Sequence, residues 1–189
     1  MKVQVGVSNR HVHLTEEDYK ILCGDKKIEM LKPINQPGMY VSKDSFTIKT
    51  DKYEFNNVKL LGPLRSYSQV EISRNDARKL GLNPPVRTSG DINGSSPITI
   101  VGPNGTLELK EGCIIADRHI HVTEEMKKFY GLEGKKKVNV LVGGEKGGIM
   151  FNVDLKVSDE AYFEMHIDTD DANAFMLNQG DIVEILEMK

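Results

Sequence analysis

Few cysteines, no long apolar run and no surplus of positive charge bound what this chain of 189 residues can be. Cys23 and Cys113 lie far apart and form no C-x-x-C pair, which excludes a disulfide framework and a dithiol redox motif. Both read as small buried thiols of a reducing compartment. Cys113 precedes His119 by six positions but is better placed in a core than on a metal. The opening MKVQVGVSNR has no apolar run of signal-peptide length, and nothing in the chain approaches the ~20 apolar residues of a membrane span. A cytoplasmic protein with no membrane partner is expected. A formal charge of -3 and a pI near 6.0 argue against an electrostatic grip on nucleic acid. No low-complexity linker divides the sequence: NPPVRTSGDINGSSP (83–97) reads as loops within a barrel. VGGEKGG (142–148) lacks the G-K-[ST] ending of a P-loop and reads as a hairpin connection. Lys135, Lys136 and Lys137 read as a solvated turn.

Against these absences stand five histidines, all inside three short motifs. His11 and His13 lie in SNRHVHLTEED, His119 and His121 in ADRHIHVTEEM, and His166 in EMHIDTD. Neutral imidazole is the commonest protein ligand for a transition metal near pH 7. The H-x-H spacing has a geometric reason, since side chains i and i+2 of a strand share a face. His11 and His13 therefore point the same way, as do His119 and His121. Thr15 and Thr123 follow as helix N-caps, with acidic residues in the first turn. Each motif is a strand that ends at its ligands and turns into a short helix, and the two copies suggest related halves of one site.

Short strand signals dominate the rest: SFTIKT, VKLLG, QVEIS, ITIVG, TLELK, VNVLVGG, IMFNVDLKV, YFEMHI and DIVEIL, separated by Gly, Asn, Asp or Pro turns. GPNGT (102–106) marks a tight hairpin. Helices are short: one begins at Ser73 and stops at Gly81, another begins near Thr169 and stops by Gly180. A mainly β fold is expected, with small closed barrels that hide their sheet edges and short helices at the strand ends.

A zinc-type site takes three or four ligands, and each histidine pair supplies two. His166 alternates with Glu164 and Asp168 on one strand face, with Phe163, Met165 and Ile167 on the other. Glu71 faces away from Val70 and Ile72, just before a helix, in the same setting as the histidines. Arg65, six residues before Glu71 in LLGPLRSYSQVE, is approached through a stiffening proline. Its guanidinium suits bidentate capture of phosphate or carboxylate.

Taken in order and spacing, SNRHVHL, GPLRSYSQVEISRNDARKLG, PVRTSGD, RHIHV and EMHIDTDDANA resemble the PduL-type phosphate acyltransferases, over nearly the whole chain. The resemblance implies two small closed β-barrels capped by short α-helices. One would comprise residues 1–35 and 115–189, the other residues 36–114. It implies two zinc ions and coenzyme A. His11, His13 and Glu71 would hold the first zinc, with an open position for the CoA sulfur; His119, His121 and His166 would hold the second. Arg65 would bind the phosphoryl group and act in catalysis. Ser8, Asn9, Arg10, Lys59 and Asn173 match CoA-contacting positions, with lysine at 59 in place of an arginine, a change that keeps charge but loses the planar fork. Small-molecule substrates (acyl-CoA, phosphate, acyl phosphate) and a homo-oligomer are the partners it implies. Family members bound for bacterial microcompartments often carry an amphipathic extension before the first strand. This chain starts at that strand, which leaves open cytosol or packaging and shell association by another route.

The implied reaction is reversible acyl transfer between CoA and phosphate with a propanoyl or acetyl group, without a covalent serine or cysteine intermediate. Two other classes stay open at this point. H-x-H-x3-E-x6-G, from His11 through Glu17 to Gly24, nearly matches the first metal motif of a cupin oxygenase or isomerase, although Glu17 falls in the expected helix and no P-x-G-x2-H partner follows. The third is a non-enzymatic zinc-binding β-barrel.

Overall fold

Alternation of apolar and polar residues puts most of this chain into strands, and the computed structural model, which describes residues 1–186, contains fourteen of them with four short helices. In chain order these are β1 (Lys2–Ser8), β2 (His11–His13), α1 (Glu16–Cys23), β3 (Met30–Pro33), β4 (Tyr40–Lys49), β5 (Glu54–Gly62), β6 (Gln69–Glu71), α2 (Arg74–Leu80), β7 (Val86–Arg87), β8 (Ser96–Val101), β9 (Thr106–Ala116), β10 (His119–Val122), α3 (Glu124–Phe129), β11 (Lys137–Val142), β12 (Gly148–Val157), β13 (Glu164–Asp168), α4 (Thr169–Phe175) and β14 (Ile182–Leu186).

The strands close into two six-stranded barrels. The first runs β1-β13-β10-β12-β11-β14 and returns to β1 through the antiparallel β1–β14 pairing. The second runs β4-β5-β2-β6-β9-β8 and returns from β8 to β4, with β3 added to β4 and β7 to β9. Closure leaves these twelve strands without an open edge. Each barrel has its own core: Val5, Ile120, Val140, Met150 and Met165 in the first, Val12, Leu22, Ile48, Leu60 and Ile100 in the second. At ~1.5 to 3 kcal/mol per fully buried large apolar side chain, these residues dominate the favourable side of folding.

The chain divides accordingly into Met1–Asn9 with Asp117–Lys189, and Arg10–Ala116. The expected partition placed residues 10–35 with the C-terminal half. They group instead with the central segment, because β2 is hydrogen-bonded to β5 and β6. The extended stretch around the first histidine pair is thus not one strand. It breaks at Asn9 and Arg10, and β1 and β2 enter different barrels. The same happens at Asp117 and Arg118, where β9 ends in the second unit and β10 begins in the first.

Local signals explain the helices. The side chains of Thr15, Ser73 and Thr123 accept from the backbone N–H of Asp18, Asp76 and Met126 at 3.0, 3.2 and 3.1 Å. Asp168 caps α4 in the same way, accepting from Asp170 and Asp171. Gly81 closes α2 in the left-handed region at φ 70, which glycine adopts without a Cβ penalty. Helix α1 is fastened to β4 by buried Asp44, whose carboxylate accepts from Tyr19 at 2.9 Å and Ser42 at 2.8 Å and pairs with Lys26. Burial alone would raise the Asp44 carboxyl; these donors outweigh it and hold the carboxyl below its usual range. Cys23 and Cys113 are buried and free. Among the described residues no helix is long and apolar enough to cross a membrane.

Candidate metal and phosphate site

Strand register assembles the first group of ligands. In β2 the central Val12 points into the barrel core, so His11 and His13 occupy the opposite face. Strand β6 lies antiparallel beside it with Glu71 directly opposite His11. Glu71 Oε2 is 3.3 Å from His11 Nε2, and Oε1 is 3.4 Å from His13 Nε2. His13 Nδ1 lies 3.1 Å from the carbonyl oxygen of Leu61, which orients the ring with Nε2 toward Glu71. All three residues are buried, Glu71 at 8% exposure, so it is no ordinary surface carboxylate.

That burial sets the protonation states. His13 is lowered from 6.5 to about 4, chiefly by burial, with the Glu71 hydrogen bond opposing and the charges of His11 and Arg65 adding to the fall. The imidazole is therefore neutral and able to ligate over the physiological range. Burial alone would raise Glu71. The interactions with His11 and His13 outweigh it and hold the carboxyl well below its ordinary range.

The second group repeats this plan. Ile120 points into the core between His119 and His121, and β13 lies antiparallel with His166 opposite His119. His119 and His121 approach by their Nε2 atoms at 3.1 Å, and His119 Nδ1 lies 2.8 Å from the Asp117 carbonyl oxygen. Ring centroids are 4.7 Å apart for His121 and His166 and 5.4 Å for His119 and His166. Within each group one ligand atom from every residue lies within 4.8 Å of the others. Two imidazoles with a carboxylate, and three imidazoles, are donor sets that fit a zinc-type ion with a position left for substrate or water.

Arg65 sits beside the first group. Its backbone N–H donates to Leu14 at 2.8 Å, and its Nη1 donates to Tyr67 at 2.6 Å and to Ser89 at 3.2 Å. Ser89 Oγ accepts from Gln69 Nε2 at 2.9 Å, and the same Nε2 donates to Glu71 Oε1 at 2.7 Å. The Gly90 N–H donates to Gln69 Oε1 at 2.7 Å, which fixes the orientation of the amide. Arg65 is thus joined to Glu71 through Ser89 and Gln69.

The expected CoA contacts divide between the two units. Ser8 ends β1 and exposed Asn9 follows it, and exposed Asn173 lies on α4, all in the first unit. Arg10 and Lys59 belong to the second unit. Arg10 donates from Nε and Nη2 to Asp76 and stacks over Phe55 at 4.3 Å; Lys59 donates from Nζ to the Lys43 carbonyl oxygen at 3.1 Å. Glu17, the acid of the cupin-like alternative, is exposed in the first turn of α1 and is absent from the ligand group. Sequence reasoning missed Gln69 and Ser89. Gln69 stands two residues before Glu71, so the strand period that grouped the histidines also puts it on the ligand face.

Comparison with known proteins places the chain in a family. The family described as phosphate propanoyltransferase matches residues 4–178. A phosphate propanoyltransferase of Thermotoga maritima is 48% identical over 185 residues, covering 97% of this chain and 88% of the relative. One from Salmonella typhimurium is 44% identical over 173 residues, covering 91% and 82%, and one from Rhodopseudomonas palustris is 40% identical over 185 residues, covering 97% and 82%. With a match that spans nearly the whole chain and includes both candidate ligand groups, the chain belongs to the phosphate propanoyltransferase family of acyltransferases.

Proposed function

We propose that this protein interconverts acyl-CoA plus phosphate with acyl phosphate plus CoA, with propanoyl the first acyl group to test and acetyl the second. The observation that supports the reading is the placement of Arg65, whose guanidinium is hydrogen-bonded through Ser89 and Gln69 to the carboxylate of a candidate metal-ligand group. His11, His13 and Glu71 would hold one zinc and His119, His121 and His166 the other, and these ions would supply Lewis acidity and lower the pKa of a bound thiol or water.

In the forward direction a phosphate oxygen attacks the thioester carbonyl carbon. The C–S bond breaks, sulfur leaves with its electron pair, and the acyl carbon is joined to phosphate. Arg65 holds the phosphate in bidentate fashion and offsets charge on the tetrahedral intermediate. Gln69 keeps Glu71 turned toward the histidines while Ser89 shares its oxygen between Gln69 and Arg65, so phosphate position and ligand geometry are set together. Holding both substrates in contact supplies much of the remaining rate. Ser8, Asn9, Lys59 and Asn173 are the residues assigned to CoA. Arg10 is the weakest member of that set, because Nε and Nη2 are committed to Asp76.

The deciding experiment is thiol release from acetyl-, propanoyl- and butanoyl-CoA with and without phosphate. CoA should appear only when phosphate or arsenate is present. Rapid hydrolysis without either would make the protein a thioesterase.

A further inference from the structure

His166 stands in a different chemical setting from the two histidines beside it. Its Nε2 lies 2.8 Å from Oε2 of Glu164, two residues earlier on β13 and on the same strand face. Glu164 is buried at 3% exposure, where a carboxylate is costly unless hydrogen bonds or a charge partner compensate it. It is not among the atoms that converge within 4.8 Å, which come from His119, His121 and His166. The carboxylate therefore sits behind a ligand and is not itself one.

Neighbouring backbone makes room for this pair. Gly6 of β1 is the register partner of His166 in the parallel β1–β13 ladder. A Cβ at Gly6 would lie 2.8 Å from His166 Cδ2, 3.1 Å from its Nε2 and 3.1 Å from Glu164 Cδ. Side chains do not tolerate the first of these distances, so the glycine is required by the ring and the carboxylate beside it. The equivalent residue of the other half is Ile114, five positions before His119 as Gly6 is five before His11, and it lies opposite Glu71. Where that half has an isoleucine, the half with the Glu164 and His166 pair has a glycine.

We propose that Glu164 is a positioning residue of the second metal centre: it accepts the Nε2 proton of His166 and so presents Nδ1 of that ring to the ion. A neutral imidazole has one N–H and one lone pair, and a donor bond from Nε2 leaves the lone pair on Nδ1. His119 shows the converse arrangement, with Nδ1 beside the Asp117 carbonyl oxygen and Nε2 facing His121. The inference rests on the two-metal reading above and adds which nitrogen serves and what holds it there.

Long-range proton–nitrogen NMR of the zinc-loaded protein tests it without any substitution. His166 should show a protonated Nε2 and a metal-bound Nδ1; a metal-bound Nε2 overturns the assignment. Metal affinity provides the second arm, read by chelator competition. Glu164→Ala should weaken one of the two ions by ~10- to 100-fold and leave the other at its wild-type affinity, with Glu164→Gln recovering part of the loss because its amide oxygen still accepts. Gly6→Ala should weaken the same ion by displacing the ring. Wild-type affinity at both centres in Glu164→Ala overturns the proposal while leaving the two-metal reading intact. Wild-type protein that binds no transition metal overturns both.

Discussion

Arg10 is gripped by both carboxylate oxygens of Asp76, Nε to Oδ2 at 2.8 Å and Nη2 to Oδ1 at 2.9 Å. The arrangement recurs in the other half, where Arg118 Nη1 donates to Asp171 Oδ1 at 3.1 Å. Each arginine immediately precedes a histidine pair, and each aspartate lies five residues after the third member of its group, Glu71 or His166. The ion pair ties the helix that follows Glu71 or His166 to the start of the histidine strand, so the two strands that carry each candidate ligand group are clamped at one end. The halves also exchange strands: β1, which leads into the first histidine pair, lies beside His166, and β9, which leads into the second, lies beside Glu71.

The two clamps should differ in strength. Asp76 is 4% exposed and its partner 28%, whereas Asp171 and Arg118 are 29% and 28% exposed. Removing Arg10 leaves the buried Asp76 carboxylate uncompensated, so Arg10→Ala should cost ~3 kcal/mol or more. Asp171→Ala should cost about 1 kcal/mol, because water still reaches both groups. Urea unfolding of the two variants measures the difference, and equal losses would remove the claimed asymmetry.

Arg65→Ala should leave both metal ions bound, because no ligand is removed. Turnover should fall by ~10²-fold with a weakened response to phosphate, the scale of losing one charge-stabilising donor. Arg65→Lys should recover only part, since an ammonium lacks the fork. His13→Ala and His121→Ala should each lose one ion and nearly all activity. Normal turnover with loss of metal in Arg65→Ala would assign Arg65 to support of Glu71 through Ser89 and Gln69.

Metal-free protein should become less stable as pH falls from about 6.5 toward 4. Over this window the unfolded chain protonates His13 while the folded chain, with that ring lowered to about 4, does not, so protons favour unfolding. Glu71 acts in the same direction: its carboxyl is depressed in the fold, and its contribution is present above the usual carboxylate range and lost as pH drops through the folded value. The urea midpoint should therefore be lower at pH 5 than at pH 7. An unchanged or higher midpoint at pH 5 contradicts the sign.

Both cysteines should be silent in the native protein. Burial pushes Cys113 up to about 12 and also raises Cys23, so little thiolate forms at either. Dithionitrobenzoate should react only after denaturation, and thiol released in the acyl-transfer assay then belongs to CoA. Rapid colour from native protein alone would contradict the burial of these side chains.

Much of this protein was legible in one dimension because its signals are local. The period of a strand puts His11 with His13 and His119 with His121 on one face whatever lies beside them. Thr15, Ser73 and Thr123 announce their helices because an N-cap bonds within three residues. The shared setting of Glu71 and His166, a polar strand position just before a capped helix, raised both as candidates for the extra ligands, and the family resemblance assigned each to its group.

Tertiary structure decided everything that depends on which strand lies beside which. That Glu71 stands opposite His11 and His166 opposite His119 is a register between strands many residues apart, and periodicity names a face without naming its neighbour. For the same reason the breaks at Asn9 and Asp117, where the chain leaves one barrel for the other, could not be read from a continuous extended pattern. Gln69, Ser89, Asp76 and Glu164 owe their roles to partners supplied by other strands and helices, or to a burial that only barrel closure imposes. Composition and spacing thus determined which side chains were available for chemistry, and pairing between distant strands determined which of them meet.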